Sequence, residues 1–470
     1  MKFIGREYEL NALERLYEVN TFQFVVMYGR RRVGKTRLLM EFCKDKNSIF
    51  FVAEEYNDKM ALEKFSKKIL ENFHMEQWIQ TFDSWESAFL FLNEKAKDEQ
   101  LILVIDEFPY IASANNSIPS LMQNLIDHKL KDSKLFIVVC GSSMAFMEKE
   151  VLSYKSPLYG RRTAQMKIEP FNFFDSIKFF PNYSLEDKVK AYGIVGGIPQ
   201  YLLKFRDEFS IEENVKNQIL DKSSYLYEEP SILLKQELRE PALYNSIIEA
   251  IATGSSKLNQ IATKVGEDSS KTSNYVKPLL ELEIIEKLAP IGENKNTRKT
   301  IYSIKDPLFR FWYRFIFNNI GLIEQEMIDY LYEEKIEPEL NDYLGSTFES
   351  ICIDYLKLKN KNMELPFVFE AVGPWWGNNP IKKREEEIDI LAISKDNALI
   401  GECKWRKQSL DMNIVNSLIE KAQALKYKNK YYIFFSKSGF TEDVLNLSKY
   451  NEKIILVDFN QIENMVYPWE

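Results

Sequence analysis

The stretch Tyr28-Gly29-Arg30-Arg31-Arg32-Val33-Gly34-Lys35-Thr36 carries the spacing G-x-x-x-x-G-K-T. The apolar run Phe22 to Met27 precedes it and predicts a buried strand, and Arg37 to Lys44 predicts a helix. A strand, a glycine-bounded loop and a helix in that order form a phosphate cradle. The two glycines let the backbone curl, so that its N–H groups surround phosphate oxygens at a helix N-terminus. Gly29, Arg30, Arg31, Arg32, Val33, Gly34, Lys35, Thr36 and Arg37 are therefore the candidate nucleotide-binding residues. Lys35 is expected to reach the β- and γ-phosphates of ATP, and Thr36 to hold Mg²⁺. A plain glycine turn before a helix is the alternative, and the strand and helix on either side argue against it.

The chain has 470 residues, 45% hydrophobic and 28% charged, as expected of a globular protein with several domains. A net charge of −8 means that nucleic acid would have to be held by local basic patches rather than by the field of the whole chain. Cys43, Cys140, Cys352 and Cys403 are widely spaced, and His74 and His128 are the only histidines. That set argues against a zinc site or a disulfide framework and fits a reducing, cytoplasmic setting. The N-terminus lacks a signal-like apolar segment, and no stretch approaches the length of a membrane span.

Around the loop, Phe3-Ile4-Gly5-Arg6-Glu7 leads into a helix with Leu10, Leu13, Leu16 and Tyr17 on one face. Phe3 and Ile4 could cover the adenine, or simply begin that helix. Ser48 to Ala53 predicts a second strand. Leu101 to Ile105 is continuously apolar, as in a parallel sheet buried on both faces, and ends in Asp106-Glu107. Acids at that end face the crevice where open α/β sheets bind ligands. Asp106 is the candidate metal-side acid and Glu107 the candidate general base for the attacking water. Leu135 to Cys140 predicts another strand, ending in Gly141-Ser142-Ser143, where a serine could touch the γ-phosphate or merely mark a turn. Arg161 and Arg162 precede the strand Ala164 to Ile168. Either arginine could neutralise charge on the transferring phosphoryl group, in cis or from a neighbouring subunit of a homo-oligomer, or the two could be a solvated pair.

This ordered set, with Gly196-Gly197-Ile198-Pro199, resembles the archaeal-type ATPase family, a STAND/AAA+-like branch of the P-loop NTPases. The resemblance implies a parallel sheet of about five strands over residues 1–170 and a helical lid over 171–230, with the Gly-Gly-x-Pro segment near the nucleotide.

Residues 231–310 are expected to hold three helices, Ala242 to Thr253, Lys257 to Val265 and Ser269 to Leu282, then strands Ile284 to Leu288 and Thr300 to Ile304. The arrangement resembles a winged helix-turn-helix. Ser269 to Asn274 would suit phosphate and base-edge contacts, and Lys295, Arg298 and Lys299 at the hairpin tip would suit phosphates. Glu267, Asp268, Glu281 and Glu283 dilute that charge, as in a packing module. The aromatic stripe Asp306 to Tyr313 reads as core.

Residues 311–470 carry the second chemical signal, Glu387-Ile388-Asp389 through Gly401-Glu402-Cys403-Lys404. Two strands joined at Lys395-Asp396 would set Asp389 opposite Glu402 and Glu387 opposite Lys404, with Asp389, Glu402 and Lys404 on one face. Facing carboxylates repel unless a cation lies between them, and Mg²⁺ suits such oxygen ligands. Lys404 beside it could orient or deprotonate water for phosphodiester hydrolysis. A one-residue slip in register would separate the acids. A charged, exposed hairpin face is the competing explanation.

The motif resembles the PD-(D/E)xK nuclease superfamily, with Ile388 where the family name has proline. The resemblance adds Glu349, on a helix Leu344 to Leu358, as a third metal-side acid. It implies a restriction-endonuclease-like α/β domain with a strand at Phe367 to Ala371, a helix Asn413 to Leu425 and strands Tyr431 to Phe435 and Lys453 to Asp458. Val372 to Gly377 resembles a segment of the domain fused to archaeal-type ATPases. Lys382-Lys383-Arg384 and Arg406-Lys407 could hold a DNA backbone or be solvated charge. The expected whole is an α/β, ATP- and Mg²⁺-using protein that acts on nucleic acid, DNA more than RNA, without a membrane. It is either an ATP-regulated nuclease or a nucleotide-switched DNA-binding regulator whose nuclease-like domain does not cut.

Overall fold

The computed structural model describes residues 3–293, 299–379 and 382–465. The chain forms two compact units. One runs to Phe171 and takes in Ile198–Gln200; the other holds Asn172–Gly197 and everything from Tyr201 onward.

In the first unit five strands, β1 (Gln23–Tyr28), β2 (Ser48–Val52), β3 (Leu101–Asp106), β4 (Leu135–Gly141) and β5 (Ala164–Lys167), pair in the order β2-β3-β4-β1-β5. Every pairing is parallel. The apolar runs are continuous because both faces are covered. Along β1, Phe24, Val26 and Tyr28 enter one core, while Val25 and Met27 enter the other. The second core also takes Leu38, Leu39 and Phe42 from α2 (Lys35–Cys43) and Leu13 from α1 (Glu7–Glu18). Phe3 packs against that core, a structural use of one residue considered for adenine contact. Parallel strands put their C-terminal ends together, so the loop after β1 lies at the same edge as the acids that end β3.

The second unit begins with short helices. The helix Tyr225–Glu237 runs unbroken across residue 230, where the sequence suggested a boundary. Three helices, α3 (Pro241–Ala252), α4 (Leu258–Val265) and α5 (Ser269–Glu281), lead into the antiparallel pair β6 (Ile285–Leu288) and β7 (Ile301–Ile304). The aromatic stripe is core, as expected: Phe309, Phe311, Trp312 and Tyr313 are all buried. A second five-stranded sheet has the order β12-β11-β10-β9-β8. Its members are β8 (Ala371–Asn379), β9 (Arg384–Ser394), β10 (Asn397–Lys404), β11 (Asn429–Ser436) and β12 (Ile454–Asp458). Helices α6 (Gly345–Lys361) and α7 (Met412–Lys421) accompany it.

The strand expected at Phe367 to Ala371 is displaced. The observed strand starts at Ala371 and takes in Val372 to Gly377. Pro374 lies within it; β8 is an edge strand, and its register breaks between Gly373 and Trp375. Proline is tolerated at an edge or a bulge because no ladder N–H is required of it.

Candidate functional sites

In the first unit, Gly34 sits just before α2 with φ 93°, and Gly29 has φ 154°. A Cβ on Gly29 would lie 2.3 Å from the carbonyl oxygen of Ile168, so no side chain fits there. Arg32 adds another positive φ of 71°, and the loop curls on itself. Lys35 is buried, and its Nζ donates to the carbonyls of Gly29 (2.8 Å) and Arg30 (3.0 Å). Burial lowers its pKa, opposed by the nearby Glu107 and Asp106 charges. Pro199 approaches to 3.6 Å of a Cβ built on Gly34, so the chain beyond Gly-Gly-Ile returns to the loop.

Thr36 Oγ1 donates to Asp106 Oδ2 at 2.6 Å, so the two groups expected on the metal side are adjacent. Hard oxygen donors side by side fit Mg²⁺. Glu107 has φ 53°, and its backbone N donates to Asp106 Oδ1 at 3.0 Å. The Glu107 carboxylate accepts from both the backbone N (3.1 Å) and Oγ (3.0 Å) of Ser142, at the end of β4. Thus Lys35, Thr36, Asp106, Glu107 and Ser142 come together at one edge of the sheet.

The two arginines part company. Arg161 precedes β5, at the opposite end of the parallel strands from the loop. Its Nε and Nη2 donate to Asp127 Oδ2 (3.1 and 2.7 Å), and Nη1 donates to the carbonyls of Pro157 and Tyr159. Those contacts hold it in a structural position away from Lys35. Arg162 lies over the Tyr159 ring, 5.5 Å from its centroid; burial, then the Glu148 charge, raises the Tyr28 pKa, and the Arg162 charge only partly opposes them. Ile4 is half-buried, and Arg37 is exposed beside Glu41.

In the second unit, β9 and β10 pair with Ser394 opposite Asn397 and Ile390 opposite Gly401. That is the expected register, and it leads to Asp389 and Glu402 as the next facing pair. The paired register ends one step before it, and Asp389 Oδ2 accepts from the backbone N of Cys403 at 2.8 Å. Glu402 is buried, with Oε1 accepting from Lys404 Nζ (2.7 Å) and Oε2 from Lys421 Nζ (3.3 Å). Lys421 escaped the sequence reading. Its signal was a lysine three residues after buried Leu418 on an amphipathic helix.

Burial first, then the charges of Asp389 and Glu387, push Glu349 on α6 up to about 8. Burial, then Glu402, likewise raises Asp389, against the Cys403 hydrogen bond and the charges of Lys404 and Lys421. Burial alone would lower Lys404, but the Glu402 and Asp389 carboxylates outweigh it and hold its pKa up. Acids that resist ionising together mark a place suited to a cation. Among the described residues no group of three His, Cys, Asp or Glu side chains forms a ready metal cage. Mg²⁺ needs only one or two carboxylates because it keeps several waters, so this donor set still fits. Cys403 also lies against Cys352 of α6, a contact invisible in their spacing.

The β6–β7 hairpin is held by the same sheet. Ile291 N donates to the Pro374 carbonyl (3.0 Å), and Trp376 Nε1 donates to the Lys299 carbonyl (2.9 Å). Gly373 makes room, since a Cβ there would stand 3.1 Å from Ile291. Lys299 pairs with Glu293 at 2.6 Å, which draws it away from a phosphate role. Lys295 and Arg298 lie outside the described residues. Ser270, Lys271, Ser273, Asn274 and Lys277 of α5 are exposed. Lys382 and Arg384 pair with Glu420 and Glu386.

Residues 3–205 match a family described as an ATPase domain predominantly from Archaea. Residues 312–417 match one described as archaeal and bacterial proteins of unknown function. Over 441 residues the chain is 36% identical to the uncharacterized protein MJECL04 of Methanocaldococcus jannaschii, covering 93% of this chain and 95% of that one. The chain belongs to this family of archaeal-type ATPases. A shorter Methanocaldococcus jannaschii protein, the uncharacterized ATP-binding protein MJ0423, is 46% identical over 44 residues, 9% of this chain and 75% of its own length. Among solved structures, the Walker-type ATPase PABY2304 of Pyrococcus abyssi is similar with a TM-score of 0.50 at 19% identity. That match covers 66% of this ATPase and 96% of the Pyrococcus chain, and it supports the fold. Among the described residues, no helix of the ATPase is long and apolar enough to cross a membrane.

Proposed function

We propose that this ATPase is an ATP-regulated, Mg²⁺-dependent nuclease acting on DNA more than RNA. The observation that carries the nuclease reading is the meeting of Asp389, Glu402, Lys404 and Glu349 just past the paired stretch of β9 and β10. Asp389, Glu402 and Glu349 would hold Mg²⁺, which when bound supplies a Lewis acid for phosphodiester hydrolysis. Lys404 would then leave Glu402 and, as an ammonium, orient the attacking water. At the other site, Lys35 would exchange the Gly29 and Arg30 carbonyls for phosphate oxygens, with Thr36 and Asp106 on the metal side. Glu107, released from Ser142, would take the proton of the attacking water. With Arg161 held by Asp127, Arg162 is left as the candidate arginine, and acting in trans it would make the working form a homo-oligomer. Residues 171–230 would act as the lid, and residues 231–310 would present the exposed polar face of α5 to DNA as a winged helix does. Four buried, unpaired cysteines suit a cytoplasmic setting.

A specific observation favours a second reading. Glu402 is already neutralised by two lysines, as in a nuclease-like domain that binds without cutting. Nicking of supercoiled plasmid with Mg²⁺ or Mn²⁺, with and without ATP, separates the two. Cleavage lost in Lys404→Ala supports the nuclease, and a further requirement for Lys35 ties it to ATP. DNA binding without cleavage under any condition supports the switch regulator.

A further inference from the structure

The segment before α1 does more than begin a helix. Gly5 and Arg6 both have φ 67°. Glycine takes that conformation freely, whereas arginine does so only when surrounding contacts hold it there. The contacts are plain. Arg6 Nη2 donates to the Val33 carbonyl (3.0 Å) and to the Glu169 carbonyl (2.6 Å), and Nη1 donates to Glu9 Oε1 (3.2 Å). The guanidinium lies over the Phe171 ring, 4.2 Å from its centroid, and the side chain is 7% exposed. Gly5 cannot carry a Cβ here, because the Phe171 ring would lie 2.8 Å away.

Val33 is inside the phosphate loop, between Arg32 and Gly34. The Val33 carbonyl and the Gly34 N–H belong to one planar peptide unit and point in opposite directions. Holding that carbonyl therefore fixes the direction of a loop N–H. The same guanidinium holds Glu169, just beyond β5, and stacks on Phe171, where the chain leaves this unit. We propose that Arg6 is a positioning residue of the nucleotide site. It clamps the phosphate loop to the segment after β5 and aims the Gly34 N–H. Phosphate in the loop then tightens the clamp and is felt at Phe171.

The test is titration of the full chain with a fluorescent ADP analogue and Mg²⁺, alongside thermal melting and steady-state ATP hydrolysis. Arg6→Ala is expected to bind about tenfold more weakly, as for loss of hydrogen bonds to a charged group. The loss should fall on KM rather than on kcat. Arg6→Lys should recover only part of the affinity, since one ammonium cannot fork to two carbonyls and stack. Glu9→Ala should bind like wild type. Arg6→Ala binding within about twofold of wild type, at whatever melting temperature, would overturn the proposal, since a packing role moves stability alone. Glu9→Ala losing as much as Arg6→Ala would overturn it too, as would wild type failing to bind the analogue. If Arg6→Ala does not fold, Arg6→Lys decides: wild-type affinity overturns the clamp, and weaker binding at unchanged melting supports it.

Discussion

Replacing Glu349 by glutamine should stabilise the protein at pH 8 and flatten its dependence on pH. Glu349 has an ordinary value of 4.5 and is pushed up to about 8 in the fold. Between those values the folded chain holds a proton that the unfolded chain has released. The number of bound protons is then larger in the folded state, so stability falls as pH rises through that window. The full shift corresponds to at most about 5 kcal/mol at one unit per 1.36 kcal/mol. Glu349 keeps some solvent contact, so about 2–3 kcal/mol is the working expectation. Glutamine has similar volume and no charge to desolvate. Urea unfolding followed by tryptophan fluorescence at pH 5.5 and pH 8 reads the difference, because Trp375, Trp376 and Trp405 lie in this unit. Wild type should lose stability across that range, and Glu349→Gln should lose clearly less. Added Mg²⁺ should oppose the loss in wild type, because a cation favours the ionised acids. Parallel pH dependences for the two proteins would refute the claim that Glu349 is held protonated beside Asp389.

Other outcomes follow from particular contacts. Arg161→Ala should lower the melting temperature, at about 1–3 kcal/mol for a lost charged hydrogen-bond set, while nucleotide affinity stays at the wild-type value. Ser142→Ala removes one of two hydrogen bonds to Glu107, and steady-state ATP hydrolysis should show kcat lowered about tenfold with KM unchanged. Gly373→Val would push a side chain into Ile291, and differential scanning calorimetry should show the unit weakened by about 1–3 kcal/mol.

Much of the ATPase core was legible because its signals are contiguous. The loop is nine adjacent residues, and β3 and its acids are seven. The hairpin register was legible for a related reason: a two-residue turn at Lys395-Asp396 fixes every pair upstream of it. The misplaced strand shows the limit. β8 carries Pro374, which a strand tolerates only at a sheet edge or a bulge, and the edge position and register break of β8 are set by its pairing with β9 rather than by its own residues.

By itself, then, the sequence determined the phosphate loop, the acids at the end of β3, the order of most elements and the β9–β10 register as far as Ile390 opposite Gly401. Each depends on neighbours in the chain or on strand periodicity, which geometry fixes locally. Only the tertiary structure decided which charges meet. It put Arg6 on Val33 and Glu169, 27 and 163 residues away. It turned Arg161 to Asp127, brought Lys421 to Glu402 and closed the β6–β7 hairpin onto β8. Such meetings depend on how packed layers bring long side chains within reach, and no local pattern encodes that distance.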